Sequence, residues 1–267
     1  MTATETVLSD VTDGVMTITL NRPESANAVR PDDRDALIAL LAAADADQKV
    51  RVVVLRATGK HFCSGADVGS LADRRAQGEK RVLEPTKRIM NGAQKLVASV
   101  LDCNKPVIAA VHGAATGLGA HLAYASDLVI ATENAYFAES FVKRGLVVDG
   151  GGAYLLPRRI GMQKAKEMAF FGEKLTAAEA LALGLVNRVV SPDDFDATIA
   201  DFAGRLAGAP TSAIAFTKRL FNDSPDTDRS GAFVAEAMAQ ELQSYAHDAG
   251  EGIKAFMEKR PTEFTGW

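Results

Sequence analysis

The stretch Pro106-Val107-Ile108-Ala109-Ala110-Val111-His112-Gly113-Ala114-Ala115-Thr116-Gly117-Leu118-Gly119 decides the fold. Five apolar residues after a proline read as a strand buried on both faces. The small-residue turn Gly113–Gly119 follows at once and opens a helix. Small residues let a backbone approach a ligand closely, and the first N–H groups of a helix have no intrahelical acceptor. The same order occurs upstream. Val50–Leu55 is another apolar run, followed by the turn His61-Phe62-Cys63-Ser64-Gly65-Ala66-Asp67. Two turns of this kind, each at the end of a buried strand, can present N–H groups that converge on one oxygen and stabilise its negative charge. The plainer alternative is that both are merely tight connections.

Outward from these turns the chain alternates strands and helices. Val15–Leu20 predicts a strand stopped at Asn21-Arg22-Pro23. Leu37, Leu40, Leu41 and Ala44 give residues 31–47 an amphipathic helical period. Helix is expected again over 86–101 and strand over 127–131, while 71–84 reads as a polar loop or short helix. Past Gly150 the pattern becomes almost wholly helical. A helix is expected to open at Ser191-Pro192-Asp193-Asp194, and two final helices over 228–247 and 249–259. The expected division is a β/α core over 1–190 and a helical segment over 191–267.

Composition narrows the function. The 267 residues carry a formal net charge of -4, with 47% hydrophobic and 24% charged residues, which suits a globular protein and gives nucleic-acid binding no support. Only Cys63 and Cys103 are present, so no disulfide framework is implied. No membrane span and no targeting peptide are legible, so a soluble, cytoplasmic protein is expected. Other site chemistries fail on their spacing. Leu122 stands where a dinucleotide fingerprint needs its third glycine. Gly150-Gly151-Gly152 lacks the ending of a phosphate loop, and Ser64 lacks the flanks of a nucleophile elbow. The four histidines show no metal-ligand spacing, so no metal is expected; His61, His112 and His247 look structural or exposed.

Taken in order, these pieces resemble the crotonase (enoyl-CoA hydratase/isomerase) family. The resemblance runs from about Val15 to Gly266, through Asn21-Arg22-Pro23 with Asn27-Ala28, Phe62–Asp67, His112–Asp127, Gly145–Gly161, Gly172–Val190 and Ala255–Arg260. It implies an α/β fold, a spiral of ββα units followed by C-terminal helices that assemble a trimer or dimer of trimers. It implies an acyl-CoA substrate, with coenzyme A entering as part of it and no separate cofactor. Coenzyme A is expected along Ala28, Ala66 and Val68, with Asp67, Gly117 and Phe141 beside the substrate. The thioester oxygen is expected between the N–H groups of Ala66 and Leu118. Residues matching Phe256 and Lys259 reach the coenzyme from a neighbouring subunit; unaided, they read as a core aromatic and a solvated lysine.

The departures from the family pattern direct the chemistry. Hydratases of the family carry two glutamates, and their positions hold His121 and Phe141 here. Asp149 matches the catalytic aspartate of some family isomerases, including dienoyl-CoA and ring-opening epoxyphenylacetyl-CoA isomerases. Phe141 would dry the pocket and make Asp149 a stronger base. Removal of an α-proton would give an enolate held by the two N–H groups, and its return to another carbon would complete an isomerisation. Asp149 could instead be a helix N-cap. His121 shares the helix face of Leu118 and could donate to substrate, orient Asp149 or shuttle a proton, or simply pack. Hydration through His121 and Asp149, and non-catalytic acyl-CoA binding, are the rival functions.

Overall fold

The computed structural model describes residues 5–67, 69 and 82–267. In chain order its strands are β1 (Val7–Thr12), β2 (Val15–Leu20), β3 (Val52–Ala57), β4 (Val107–Val111), β5 (Ala114–Thr116), β6 (Leu128–Thr132), β7 (Tyr136–Ala138), β8 (Lys174–Thr176) and β9 (Arg188–Val190). The main sheet has the order β1-β2-β3-β4-β6-β9. β1 and β2 form an antiparallel hairpin and the remaining neighbours are parallel. Asp13 and Gly14 turn the hairpin with φ of 50° and 80°, the positive pair that a tight two-residue turn requires. A second sheet, β5-β7-β8, collects the short strands beside it.

The helices are α1 (Pro31–Ala46), α2 (Glu84–Ile89), α3 (Lys95–Leu101), α4 (Leu118–Ala125), α5 (Gly152–Ile160), α6 (Met162–Phe171), α7 (Ala177–Ala182), α8 (Phe195–Ala207), α9 (Thr211–Asp223), α10 (Arg229–Ser244) and α11 (His247–Glu258). A π turn, Met90–Gln94, joins α2 to α3. The continuous apolar run of β4 follows from burial on two faces. Val107, Ala109 and Val111 pack into the larger core with Leu37 and Leu41 of α1 and Leu96 of α3. Ile108 and Ala110 face the other way, against Phe195, Ile199 and Ala203 of α8. Units of two strands and a helix repeat through β4-β5-α4 and β6-β7-α5.

Several expectations need correction. β8 and β9 lie within the segment past Gly150, expected to be almost wholly helical, and were not foreseen there. Each is three residues long, too short for a period-two pattern to register. β9 nonetheless closes one edge of the main sheet. Ser191 does not open a helix: its hydroxyl donates to Asp194 Oδ2 at 2.7 Å, making a turn, and α8 begins at Phe195. Strand β1 falls within a segment whose polar residues hide it, because its later residues face solvent. β5 was concealed in the small-residue turn. The expected loop over 71–84 lies outside the described residues up to position 81; Glu84 begins α2.

The helices after β9 are fastened to the sheet region by a buried ion pair. Lys218 of α9 donates from Nζ to Asp127 Oδ2 at 2.8 Å and to the carbonyls of Val100 and Lys105 at 3.0 and 3.3 Å. Burial pushes the Asp127 carboxyl up, opposed by Lys218 and by the Val107 N–H, which donates at 2.7 Å. Removing one partner of such a pair strands the other charge. Lys218→Met should therefore lower stability by about 3 kcal/mol, read as a fall in the urea midpoint. Adding Asp127→Asn to that variant should restore part of the loss.

Candidate active site

The turns after β3 and β4 are laced together by backbone hydrogen bonds. Phe62 N–H donates to the His112 carbonyl at 2.8 Å, Cys63 N–H to Ala114 at 2.9 Å, and Thr116 N–H back to Cys63 at 2.9 Å. The Thr116 hydroxyl adds a bond to the Ser64 carbonyl at 2.8 Å. Contact is so close that a Cβ at Gly119 would lie 2.3 Å from the Cys63 carbonyl oxygen. Gly65 sits against the start of α4, its Cβ position 3.7 Å from the Leu118 nitrogen. Among the described residues, neither Ala66 N–H nor Leu118 N–H donates to a protein acceptor. Gly117, with φ of 52°, turns the chain into α4, and its own N–H is spent on the Ala138 carbonyl.

Ala28 is brought to the same edge by Asn27. That side chain is buried, accepts from the Arg22 N–H at 2.8 Å and donates to the carbonyls of Thr58 and His61 at 2.9 and 2.7 Å. Val29 N–H then donates to Gly65 and Asp67 N–H to Val29, which pairs Val29 with Ala66 and brings Ala28, one residue earlier, to that segment. Arg22 spans the two segments, donating to the Ala28 carbonyl at 2.7 Å and pairing with Asp67 at 3.3 Å. Beneath it, buried Asp33 is held at a pKa of about 2: burial opposes its charge, but hydrogen bonds from Arg30 and Thr6 prevail.

His121, Phe141 and Asp149 surround the start of α4. The rings of His121 and Phe141 stack with centroids 5.8 Å apart and planes within 2°. Phe141 also covers Gly117, whose Cβ position lies 3.6 Å from the ring. Asp149 is half-buried. Burial pushes its carboxyl up, and a protonated His121 would pull the other way. Its side chain caps nothing: Gly151 occupies the N-cap of α5, and it is the Asp149 carbonyl that accepts from Gly152. Among the described residues that carboxylate receives no hydrogen bond, which removes the N-cap alternative.

Glu139 is the group that sequence reading missed. It follows β7 directly, is fully buried, and places both carboxylate oxygens 3.2 Å from His121 Nε2. A single acid two residues before Phe141 carries no motif; only the pairing of β5 with β7 brings it under α4. The neighbouring Tyr124 hydroxyl is pushed well up by burial and by the Glu139 charge.

The structure does not bring every expected residue together. Phe256 on α11 is 82% exposed and Lys259 ends that helix at the surface. Val68 lies outside the described residues. His61 and His112 are structural, His61 Nδ1 accepting from Ala114 N–H and His112 Nε2 meeting the Gly59 carbonyl. Cys63 is fully buried, and desolvation pushes its thiol up to about 12, so it is no nucleophile. Among the described residues no cluster of three His, Cys, Asp or Glu could hold a metal, and no helix is long and apolar enough to cross a membrane.

Comparison with known proteins places the chain in a family. The enoyl-CoA hydratase/isomerase family model matches residues 10–266. The chain is 39% identical to a probable enoyl-CoA hydratase of Rhodobacter capsulatus, covering 98% of each chain. It is 35% identical to a 1,2-epoxyphenylacetyl-CoA isomerase of Escherichia coli, covering 98% of this chain and 99% of that one. An enoyl-CoA hydratase/isomerase structure from Cupriavidus metallidurans superposes with a TM-score of 0.92 at 32% identity, over 100% of this chain and 98% of the other. Hydratases and isomerases both stand among the relatives, so their names do not separate the two reactions. With the family model spanning almost the whole chain and the fold shared throughout, this protein belongs to the crotonase (enoyl-CoA hydratase/isomerase) family and is an enzyme of that family.

Proposed function

We propose that the enzyme shifts a carbon–carbon double bond in an acyl-CoA thioester through an enolate, with Asp149 as base. The observation that carries this reading is the Asp149 carboxylate itself: half-buried, pushed up by burial, and free of hydrogen bonds among the described residues. A carboxylate in that state is a stronger base than one in water. In a 3-enoyl thioester, Asp149 takes an α-proton, and the C–H electron pair delocalises onto the thioester oxygen. The N–H groups of Ala66 and Leu118 hold that oxygen. Return of the proton at the γ-carbon re-forms the carbonyl and leaves the double bond in conjugation. No water is activated, in keeping with Phe141 where the family's hydratases carry their second glutamate.

Coenzyme A enters with the substrate along Ala28, Ala66, Asp67 and Val68, and no further cofactor is required. Hydration is the second reading, supported by the buried carboxylate that stands behind His121. Exposed Phe233, Met238, Leu242 and Tyr245 of α10 and its end, with Phe256, support assembly into a trimer or dimer of trimers, in which Phe256 and Lys259 reach a neighbour's coenzyme. A cytoplasmic location fits a chain whose two cysteines, Cys63 and Cys103, are both free and buried.

Asp149→Asn should lower isomerisation of trans-3-hexenoyl-CoA by about 10²–10⁴-fold while leaving acyl-CoA binding intact; unchanged turnover, or loss confined to KM, would overturn the base assignment. Efficient hydration of crotonyl-CoA by the unaltered enzyme, without α-deuterium exchange from heavy water, would favour the second reading. Because Asp149 acts as the carboxylate, kcat/KM should rise with pH through its raised pKa and then level off. The acid limb should lie above the ordinary carboxylate value of about 4. Phe141→Ala, which admits water, should move that limb down. Light scattering should give a mass of three or six chains, and Phe256→Ser should raise KM for acyl-CoA with little change in kcat.

A further inference from the structure

The geometry points to Glu139 as a positioning residue that fixes the tautomer and orientation of His121, so that His121 Nδ1 is presented as an acceptor to the acid form of Asp149. This rests on the proposed role of Asp149 as base. Glu139 and His121 are both wholly buried, and both carboxylate oxygens lie 3.2 Å from Nε2. An ionised carboxylate only accepts hydrogen bonds, so Nε2 carries the proton, and the neutral form of the ring then keeps its lone pair on Nδ1.

Nδ1 is buried and has no hydrogen-bond partner among the described residues. A polar atom left in that condition is costly. It faces the turn that carries Asp149: the Cβ position of Gly150 lies 3.2 Å from Nδ1, and that of Gly152 lies 2.3 Å from Nε2. The ring cannot turn over freely, since Phe141 stacks on it and Tyr124 packs with its centroid 6.0 Å away. A side chain at Gly152 would occupy the space of the ring, which explains the glycine there.

Among the described residues the ionisable groups around the imidazole are Glu139 after β7, Tyr124 on α4 and Asp149 before α5; Val97 of α3 and Ala93 of the π turn, which meet the same glycine turn, are apolar. The pairing therefore has one open direction. When Asp149 has taken the substrate proton, its O–H is a donor, and Nδ1 is the acceptor facing that turn. The proton stays on Asp149, hydrogen-bonded to Nδ1, until it is returned to carbon. Glu139 touches no substrate in this scheme and acts only through His121.

The test combines ¹⁵N NMR of histidine-labelled enzyme with isomerisation of trans-3-hexenoyl-CoA, the His121 signals being assigned with His121→Gln. In the unaltered enzyme His121 should show a protonated Nε2 and a bare Nδ1. Glu139→Gln, whose amide can donate to Nε2, should shift the ring toward the Nδ1–H tautomer and lower kcat about tenfold or more, with KM little changed. Glu139→Asp should recover both in part. A protonated Nδ1 in the unaltered neutral ring overturns the proposal without any variant, so it stays testable if Glu139→Gln fails to fold. A tautomer shift with unchanged kcat, or a kcat loss with an unchanged tautomer, also overturns it. These readouts are separate from Asp149→Asn: the tautomer of His121 is measured whether or not Asp149 proves to be the base.

Discussion

Two backbone hydrogen bonds through Cys63, its N–H to Ala114 and its carbonyl from Thr116, tie together the loops on which the site depends. Each contributes only about 1 kcal/mol net, but together they set the relative position of Ala66 and Leu118. Gly119 allows this lacing, because any side chain there would collide with the Cys63 carbonyl. Asn27 extends it to a third segment by gathering Arg22, Thr58 and His61 around one amide. Most of the bonds that shape this edge are made by backbone atoms or by one buried amide.

The lacing is available because β3 and β4 are parallel neighbours in register, Val53 opposite Val107 and Leu55 opposite Ala109. Parallel strands deliver their C-terminal loops to the same edge of the sheet, where open α/β folds commonly bind ligands. Such strands must be covered on both faces, and the second cover is α8, whose Phe195, Ile199 and Ala203 meet Val52, Val54 and Ile108. The helices after the last strand therefore complete the core before any question of assembly arises.

Around Leu118 the balance shifts from backbone to buried charge. Phe141 removes water from one side of His121, and Glu139 supplies the partner that a buried imidazole needs on the other. Burying this pair costs desolvation, which good geometry offsets only in part. Asp149 is half-buried and, among the described residues, lacks a donor of its own, so its carboxyl rises where that of Asp33, ringed by Arg30 and Thr6, falls. The contrast between the two aspartates is one of donors rather than of depth.

By itself the sequence determined the features that local chemistry writes in order: the buried strands at Val107–Val111 and Val15–Leu20, the turns that end at Ala66 and Leu118, the helical close, and the family. Through the resemblance it also drew attention to His121, Phe141 and Asp149. Tertiary structure alone decided the partners. Three-residue strands such as Lys174–Thr176 and Arg188–Val190 have too little length for a pattern and exist because a neighbouring strand accepts them. Glu139 looks like any surface acid until the pairing of β5 with β7 buries it against His121. That contact joins residues 18 positions apart across two elements, and no local periodicity records it.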